Sequence, residues 1–175
     1  GLATTIALVS GFSFSPLTAT RKVVLCSLIA PCFGIALDLV SARFRALRIV
    51  LAAITAAAAV WVGWSVLAQK ESVSQWLGPG ILVAAYAAFL TWSMLGLAAR
   101  PVQSGAAGLA LGLGTGVAAV LAASALLGQY GLALGVAGGG FLLAQVLRNR
   151  EAPAGTVFCL SVAVSGSLLG TAALF

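Results

Sequence analysis

Hydrophobic residues in this chain form long runs, and short polar segments separate them. A helix needs roughly 20 apolar residues to cross a hydrocarbon core of about 30 Å. Seven runs reach or approach that length, so the pattern predicts up to seven membrane-spanning helices. The predicted segments are 2–19, 23–42, 49–68, 79–99, 104–127, 129–147 and 154–175.

The first run is the weakest of these candidates. It contains Pro16 and a serine-rich end, and a proline inside a helix removes a hydrogen bond and clashes with the preceding turn. We therefore expect an all-α, polytopic transmembrane helix bundle with six or seven spans and short loops. It forms one domain over residues 1–175, and the ends at Gly1 and Phe175 favour the ordered part of a longer or processed chain.

The composition supports the same class and narrows the chemistry. Of 175 residues, 62% are apolar and 7% are charged, whereas soluble domains carry roughly 25% charged residues. The chain has no histidine, which excludes histidine-ligated haem, histidine-containing zinc sites and Ser-His or Cys-His relays. Its three cysteines lie in apolar runs without a CxxC motif. We expect neither an enzyme nor a bound cofactor or metal.

The distribution of charge predicts the orientation. A net charge of +6 would favour nucleic acid in a soluble protein, but here the basic residues fall in loops, and no nucleic-acid partner is expected. Loops on one side carry Arg43, Arg45, Arg48, Arg100, Arg148 and Arg150, against Arg21, Lys22 and Lys70 on the other. Because basic loops stay in the cytoplasm, we expect a multi-pass protein of the bacterial cytoplasmic (inner) membrane with the arginine-rich side inside.

Glycines recur four residues apart in the last three segments. The helix-packing candidates are Gly108, Gly112 and Gly116; Gly131, Gly135 and Gly139; and Gly166 and Gly170. Such GxxxG spacing lets helix backbones approach closely, or lets a backbone approach a substrate or lipid. The depth of these glycines along their segments predicts that the sixth segment packs on the seventh. The glycines of the fifth then need another partner, such as the fourth segment near Gly96, a second copy or another subunit.

A second set of candidates lies in the segment 23–42. Asp38 is the acidic residue within a predicted span, and an intramembrane acid indicates a coupling or substrate role. Its place near the helix end also favours an interfacial ion pair with Arg45 or Arg43. Pro31 predicts a kink, either beside a pathway or as ordinary curvature. Ser27 can hydrogen-bond across helices, so Ser27, Pro31 and Asp38 form the candidate pathway.

Two functions fit this pattern. The first is a carrier or channel-like protein for a small solute, with its path beside the glycine-rich helices; the repeated GLALG at 108–112 and 131–135 is compatible with the inverted repeats of transporters. The second is a non-catalytic membrane subunit that anchors or assembles with other chains. Transport predicts a polar cavity near the midplane. A subunit predicts a dry core and an uncovered small-residue face, with the bilayer and a second copy or other subunits as partners.

Overall fold

The structure is a computed structural model that describes residues 19–39, 45–68, 73–122, 124–148 and 154–174. Those residues form six helices, each long and apolar enough to cross a membrane. They are α1 (Ala19–Leu39), α2 (Arg45–Leu67), α3 (Val73–Gly96), α4 (Pro101–Leu121), α5 (Ala125–Arg148) and α6 (Gly155–Leu174).

These six helices confirm the predicted all-α, multi-pass architecture, and the protein is an integral membrane protein. The first predicted segment, 2–19, lies outside the described residues except for Ala19, which begins α1. The basic pair Arg21 and Lys22 was predicted in a loop. Both residues lie instead in the first turns of α1.

A tight turn joins α3 to α4. The amide of Leu97 donates to the carbonyl of Met94 at 3.0 Å, and the amide of Arg100 donates to Leu97 at 2.7 Å. Pro101 then occupies the first position of α4. Proline is well suited to that position because the first amides of a helix have no partner within it. The two helices are therefore fixed close together at this end.

The turn between α4 and α5 corrects the predicted boundary. The sequence pattern placed it near 128–131, but α4 ends at Leu121 and α5 begins at Ala125. The Ser124 hydroxyl accepts a hydrogen bond from the Leu127 amide at 3.4 Å, as an N-terminal capping serine does. The sequence pattern predicted a turn at Gly128, but this glycine lies inside α5.

The central element is α6, and the other five helices pack around it. Along α6, every residue from 162 to 169 is buried. On one side α1, α2 and α3 pack in sequence, and on the other α4 and α5 form a close pair. The five surrounding helices each expose several large apolar side chains, whereas α6 exposes only Leu174 among its described residues. These outward faces are suited to lipid.

The contacts between helix ends define two faces of the bundle. Near Arg48 and Arg100, the amide of Ala154 before α6 donates to the carbonyl of Ala98 after α3 at 3.1 Å; we call this the arginine end. At the opposite, tryptophan end, the rings of Trp64 and Trp76 meet edge to face, with centroids 6.3 Å apart. Aromatic rings of this kind favour the membrane interface.

Candidate functional site

Asp38 caps the central helix. Its Oδ1 and Oδ2 atoms each lie 3.1 Å from the amide nitrogen of Thr156, and Oδ2 also accepts from the amide of Val157 at 3.3 Å. These amides belong to the first turn of α6 and have no partner within the helix. The carboxylate also lies at the positive end of the helix dipole. Asp38 therefore ties the end of α1 to the start of α6.

The backbone around this cap is built for close approach. Gly155 has a φ of +71°, and a Cβ atom placed there would lie 3.1 Å from Oδ2 of Asp38. One turn before Asp38, a Cβ atom on Gly34 would lie 2.5 Å from the Cα atom of Val157. Glycine at both positions lets the α1 backbone reach α6 without steric overlap.

The three candidate pathway residues do not meet in one cavity. Ser27 is buried in α1, Pro31 is partly buried and Asp38 is exposed at the arginine end. The α1 helix continues through Pro31. A groove between α1, α2 and α6 has lining residues that include Ala30 and Phe33 but none of the three candidates. The predicted ion-pair partners of Asp38, Arg43 and the side chain of Arg45, lie outside the described residues.

The glycines of α4 pack on the glycines of α5. A Cβ atom on Gly112 would overlap the backbone nitrogen of Gly135, and one on Gly131 would overlap the Cα atom of Gly116. Farther along, a Cβ atom on Gly138 would lie 2.6 Å from the carbonyl carbon of Gly108. The two backbones are thus in direct contact along antiparallel helices.

This pairing corrects the predicted partners. The glycines of α4 were expected to pack elsewhere because a helix ending at 127 placed them in the half near the arginine end. In the structure α4 ends at Leu121 and α5 begins at Ala125. Gly116 and Gly131 therefore lie five and six residues from the turn, rather than the predicted eleven and two. The two sets of glycines thus lie at the same depth.

The remaining predicted glycines contact side chains. Gly139 lies beside the Leu109 side chain, because the close backbone contact belongs to Gly138. A Cβ atom on Gly166 would overlap the side chain of Leu111 in α4. One on Gly170 would lie 2.7 Å from the hydroxyl oxygen of Tyr86 in α3. Gly166 and Gly170 of α6 therefore pack against α4 and α3, whereas the sequence predicted that they pack against α5.

Sequence reasoning missed several further glycine contacts and one basic contact. Gly34, Gly138 and Gly155 are described above, and a Cβ atom on Gly105 would lie 3.0 Å from the Cβ atom of Leu142. The 3-4-4 spacing that adds Gly105 to the α4 glycines was a usable signal. At the tryptophan end, Nζ of Lys22 donates to the Trp61 carbonyl at 3.0 Å and lies 4.8 Å from its ring centroid, a contact that no local pattern predicts.

Most hydroxyl groups in the interior bond to the helices that carry them. Six of the eight buried serine and threonine hydroxyls donate to carbonyls three or four residues earlier, as in Thr171 to Ser167 at 2.8 Å and Thr91 to Ala87 at 2.9 Å; Ser27 and Ser165 are the other two. Across the described residues, no buried side-chain oxygen or nitrogen is left without a partner. A hydroxyl bonded in this way has used its one donor hydrogen within its own helix.

Three open clefts in the described bundle have mainly apolar linings. One lies between α1, α2 and α6, a second between α2 and α3, and a third between α3, α4 and α6. Within the ranges that the structure describes, no three His, Cys, Asp or Glu residues form a group that could hold a metal ion. The arrangement is suited to contact with lipid or other apolar groups.

Comparison with protein-family models, with curated proteins and with solved structures finds no match to this chain.

Proposed function

We propose that this chain is a non-catalytic membrane subunit that assembles with other membrane-spanning chains. The observation that carries the proposal is the filled interior around α6, where eight consecutive residues from 162 to 169 are buried. The described interior is therefore filled by contacts between helices and not by a polar path. A carrier would need polar groups facing a cavity near the midplane.

An uncovered small-residue face on α5 supports assembly. Ala137, Gly140 and Ala144 are exposed and lie within one strip of the helix, with the half-buried Ala133 one turn before them. A Cβ atom on Gly140 would have no neighbour within 4 Å. Small residues at this spacing let a second helix approach closely in lipid. This face lies beside the one that packs on α4, and none of the described residues covers Gly140, so another chain could pack there.

A carrier for a small solute is the second candidate function. The observation that favours it is Asp38, an exposed acid on a proline-containing helix, bonded to amides of the central helix. The test is solute uptake by reconstituted vesicles as a function of pH: unchanged uptake by Asp38→Asn across pH would contradict a coupling role for Asp38.

The test of the subunit proposal is the mass of the complex extracted in a mild detergent. We expect wild-type protein to purify with at least one further chain, identical or different. Gly140→Leu fills the open α5 face and is expected to dissociate the complex. Gly114→Leu is the matched control, because Gly114 in α4 also has no neighbour within 4 Å of its Cβ position but faces a different side.

Two results would contradict the subunit proposal. One is wild-type protein that stays a single chain both in mild detergent and after chemical cross-linking in its native membrane. The other is a complex whose mass is unchanged by Gly140→Leu. Because both positions have open space, correct folding of the two variants can be checked by circular dichroism before masses are compared.

A further inference from the structure

The α1 helix carries a proline near the middle of its span. Pro31 has no amide hydrogen, so the carbonyl oxygen of Ser27, four residues earlier, lacks its usual donor in the helix. Ser27 is buried, with 5% of its surface exposed. Inside a membrane, a carbonyl freed by proline takes a donor from a neighbouring helix, from a serine or threonine side chain, or from an ordered water. The proline therefore creates a demand for a hydrogen-bond donor inside the bundle.

The register of α1 against α6 places Ser165 at the depth of Ser27. The Asp38 cap joins the end of α1 to the start of α6, so the two helices run antiparallel. They meet closely where Gly34 packs on the backbone of Val157. Ser27 lies seven residues before Gly34, and Ser165 lies eight residues after Val157. Both serines are therefore about two turns, or roughly 11 Å, from that contact and near the middle of their helices.

Polar and apolar residues occupy different sides of this helix contact. The groove that α1 and α6 share with α2 is lined by residues that include Ala30 and Val164. Successive residues turn by about 100° around a helix. This turn puts Ser27 and Pro31 on the side of α1 away from Ala30, and Ser165 on the side of α6 away from Val164. Since the helices are antiparallel, these sides coincide, so the polar groups share the side away from α2.

The two serines also differ from their neighbours in how their hydroxyls are used. In α6, the Ser161 hydroxyl donates to the carbonyl of Val157 at 2.7 Å, and the Ser167 hydroxyl donates to its own helix in the same way. Ser27 and Ser165 donate no such bond, although Ser165 has only 1% of its surface exposed. Their hydroxyl hydrogens therefore serve groups outside their own helices. With the Ser27 carbonyl, they supply enough polar partners for one buried water, which needs two to four.

We infer that one water molecule binds between α1 and α6 at this depth, where it donates to the Ser27 carbonyl and accepts from the Ser165 hydroxyl. A metal cation is disfavoured, because the acid on α1, Asp38, lies eleven residues from Ser27, roughly 16 Å along the helix, and an unpaired buried charge is costly. A single enclosed water does not connect the two sides of the membrane. The site is formed by this chain alone and does not depend on assembly through α5.

The first experiment is hydroxyl-radical footprinting of the purified protein, with oxidation located by mass spectrometry. X-rays generate radicals from bound water, and these oxidise the side chains beside it. Leu168 lies one turn after Ser165 and is fully buried, so we expect it to be oxidised in wild type. Met94 of α3 is the reference, because it is also buried but oxidises readily when radicals reach it. Ser165→Val fills the site and is expected to protect Leu168.

The second experiment is a double-mutant cycle, with unfolding measured by sodium dodecyl sulfate titration. Ser165→Ala should raise the unfolding equilibrium constant about fivefold, because it leaves buried polar groups short of a partner. In a Pro31→Ala background the same substitution should change it less than about twofold, since the new amide can donate to the Ser27 carbonyl. Ser161→Ala is the matched control and should have equal effects in both backgrounds.

Four outcomes would overturn the inference. Two are found by footprinting: Leu168 that oxidises no faster than Met94 in wild type, or Leu168 that is equally reactive in folded Ser165→Val. The third is an equal effect of Ser165→Ala in both backgrounds, whereas coupling without Leu168 oxidation would indicate a direct bond between the helices. The fourth is Leu168 oxidation that changes when choline replaces sodium, which would identify a cation. The mass of the complex tests assembly separately, because none of these substitutions lies on α5.

Discussion

At the scale of single residues, Asp38 shows how one side chain joins two distant parts of the chain. Its carboxylate accepts hydrogen bonds from the amides of Thr156 and Val157, 118 and 119 residues away. The sequence identified Asp38 as unusual because acids are rare in spans. It predicted a cation as the alternative partner. Local spacing could not point to the amides of α6, because only tertiary folding brings that helix end to α1.

We predict that Asp38→Ala lowers the free energy of unfolding by about 1 kcal/mol, the usual cost of losing a helix cap. Asp38→Asn is the control and should retain most of that stability, because the asparagine side-chain oxygen still accepts the hydrogen bond. The measurement is unfolding by sodium dodecyl sulfate titration in mixed micelles. A stability of Asp38→Ala equal to that of wild type would rule out the cap as a stabilising contact.

At the scale of helices, the α4–α5 pair shows what glycine spacing can and cannot predict. The fourfold spacing in each helix predicted surfaces for close packing, and the structure places Gly112 against Gly135 and Gly116 against Gly131. The partner was predicted wrongly because the end of α4 was placed six residues too late. A single capping serine, Ser124, marks the boundary, and its signal was weaker than that of the nearby glycines.

We predict opposite effects for the same substitution two residues apart in α4. Gly112→Ala should lower the free energy of unfolding by about 1–3 kcal/mol, because the new methyl group overlaps the α5 backbone. Gly114→Ala has open space and should be neutral or stabilising by up to about 1 kcal/mol through better helix propensity. Unfolding in mixed micelles measures both. Equal effects of the two substitutions would mean that direct α4–α5 backbone contact does not hold in the membrane.

At the scale of the whole molecule, α6 organises the bundle. The two groups, α1 to α3 and α4 with α5, meet mainly through it. The mean hydropathy of α6 is 1.9, within the range of 1.4 to 2.0 of the other described spans. In its most apolar stretch, however, 61% of the residues are buried, against at most 39% in any other described helix. Its central position is therefore not readable from apolar content, because lipid and protein interior are both apolar.

We predict the orientation of the bundle from its charged loops. In a variant without the native cysteines, a single cysteine at Gln75 should react with an impermeant maleimide added outside intact bacterial spheroplasts, and one at Arg100 should react only after lysis. Both residues are exposed, and they lie at opposite ends of the described bundle. The reverse pattern would contradict the orientation, and labelling of both from outside would contradict the arrangement of spans.

The sequence by itself determined that this protein lies in a membrane as a bundle of helices, because the length and polarity of each run decide whether lipid can surround it. The glycine spacing predicted surfaces for close approach in three of the helices but missed the one at Gly34 in α1. Only the tertiary structure decided which surfaces meet, that α6 is central and that Asp38 caps it. These features depend on helix ends placed to within a turn and on contacts between distant residues, and neither is encoded in local hydropathy.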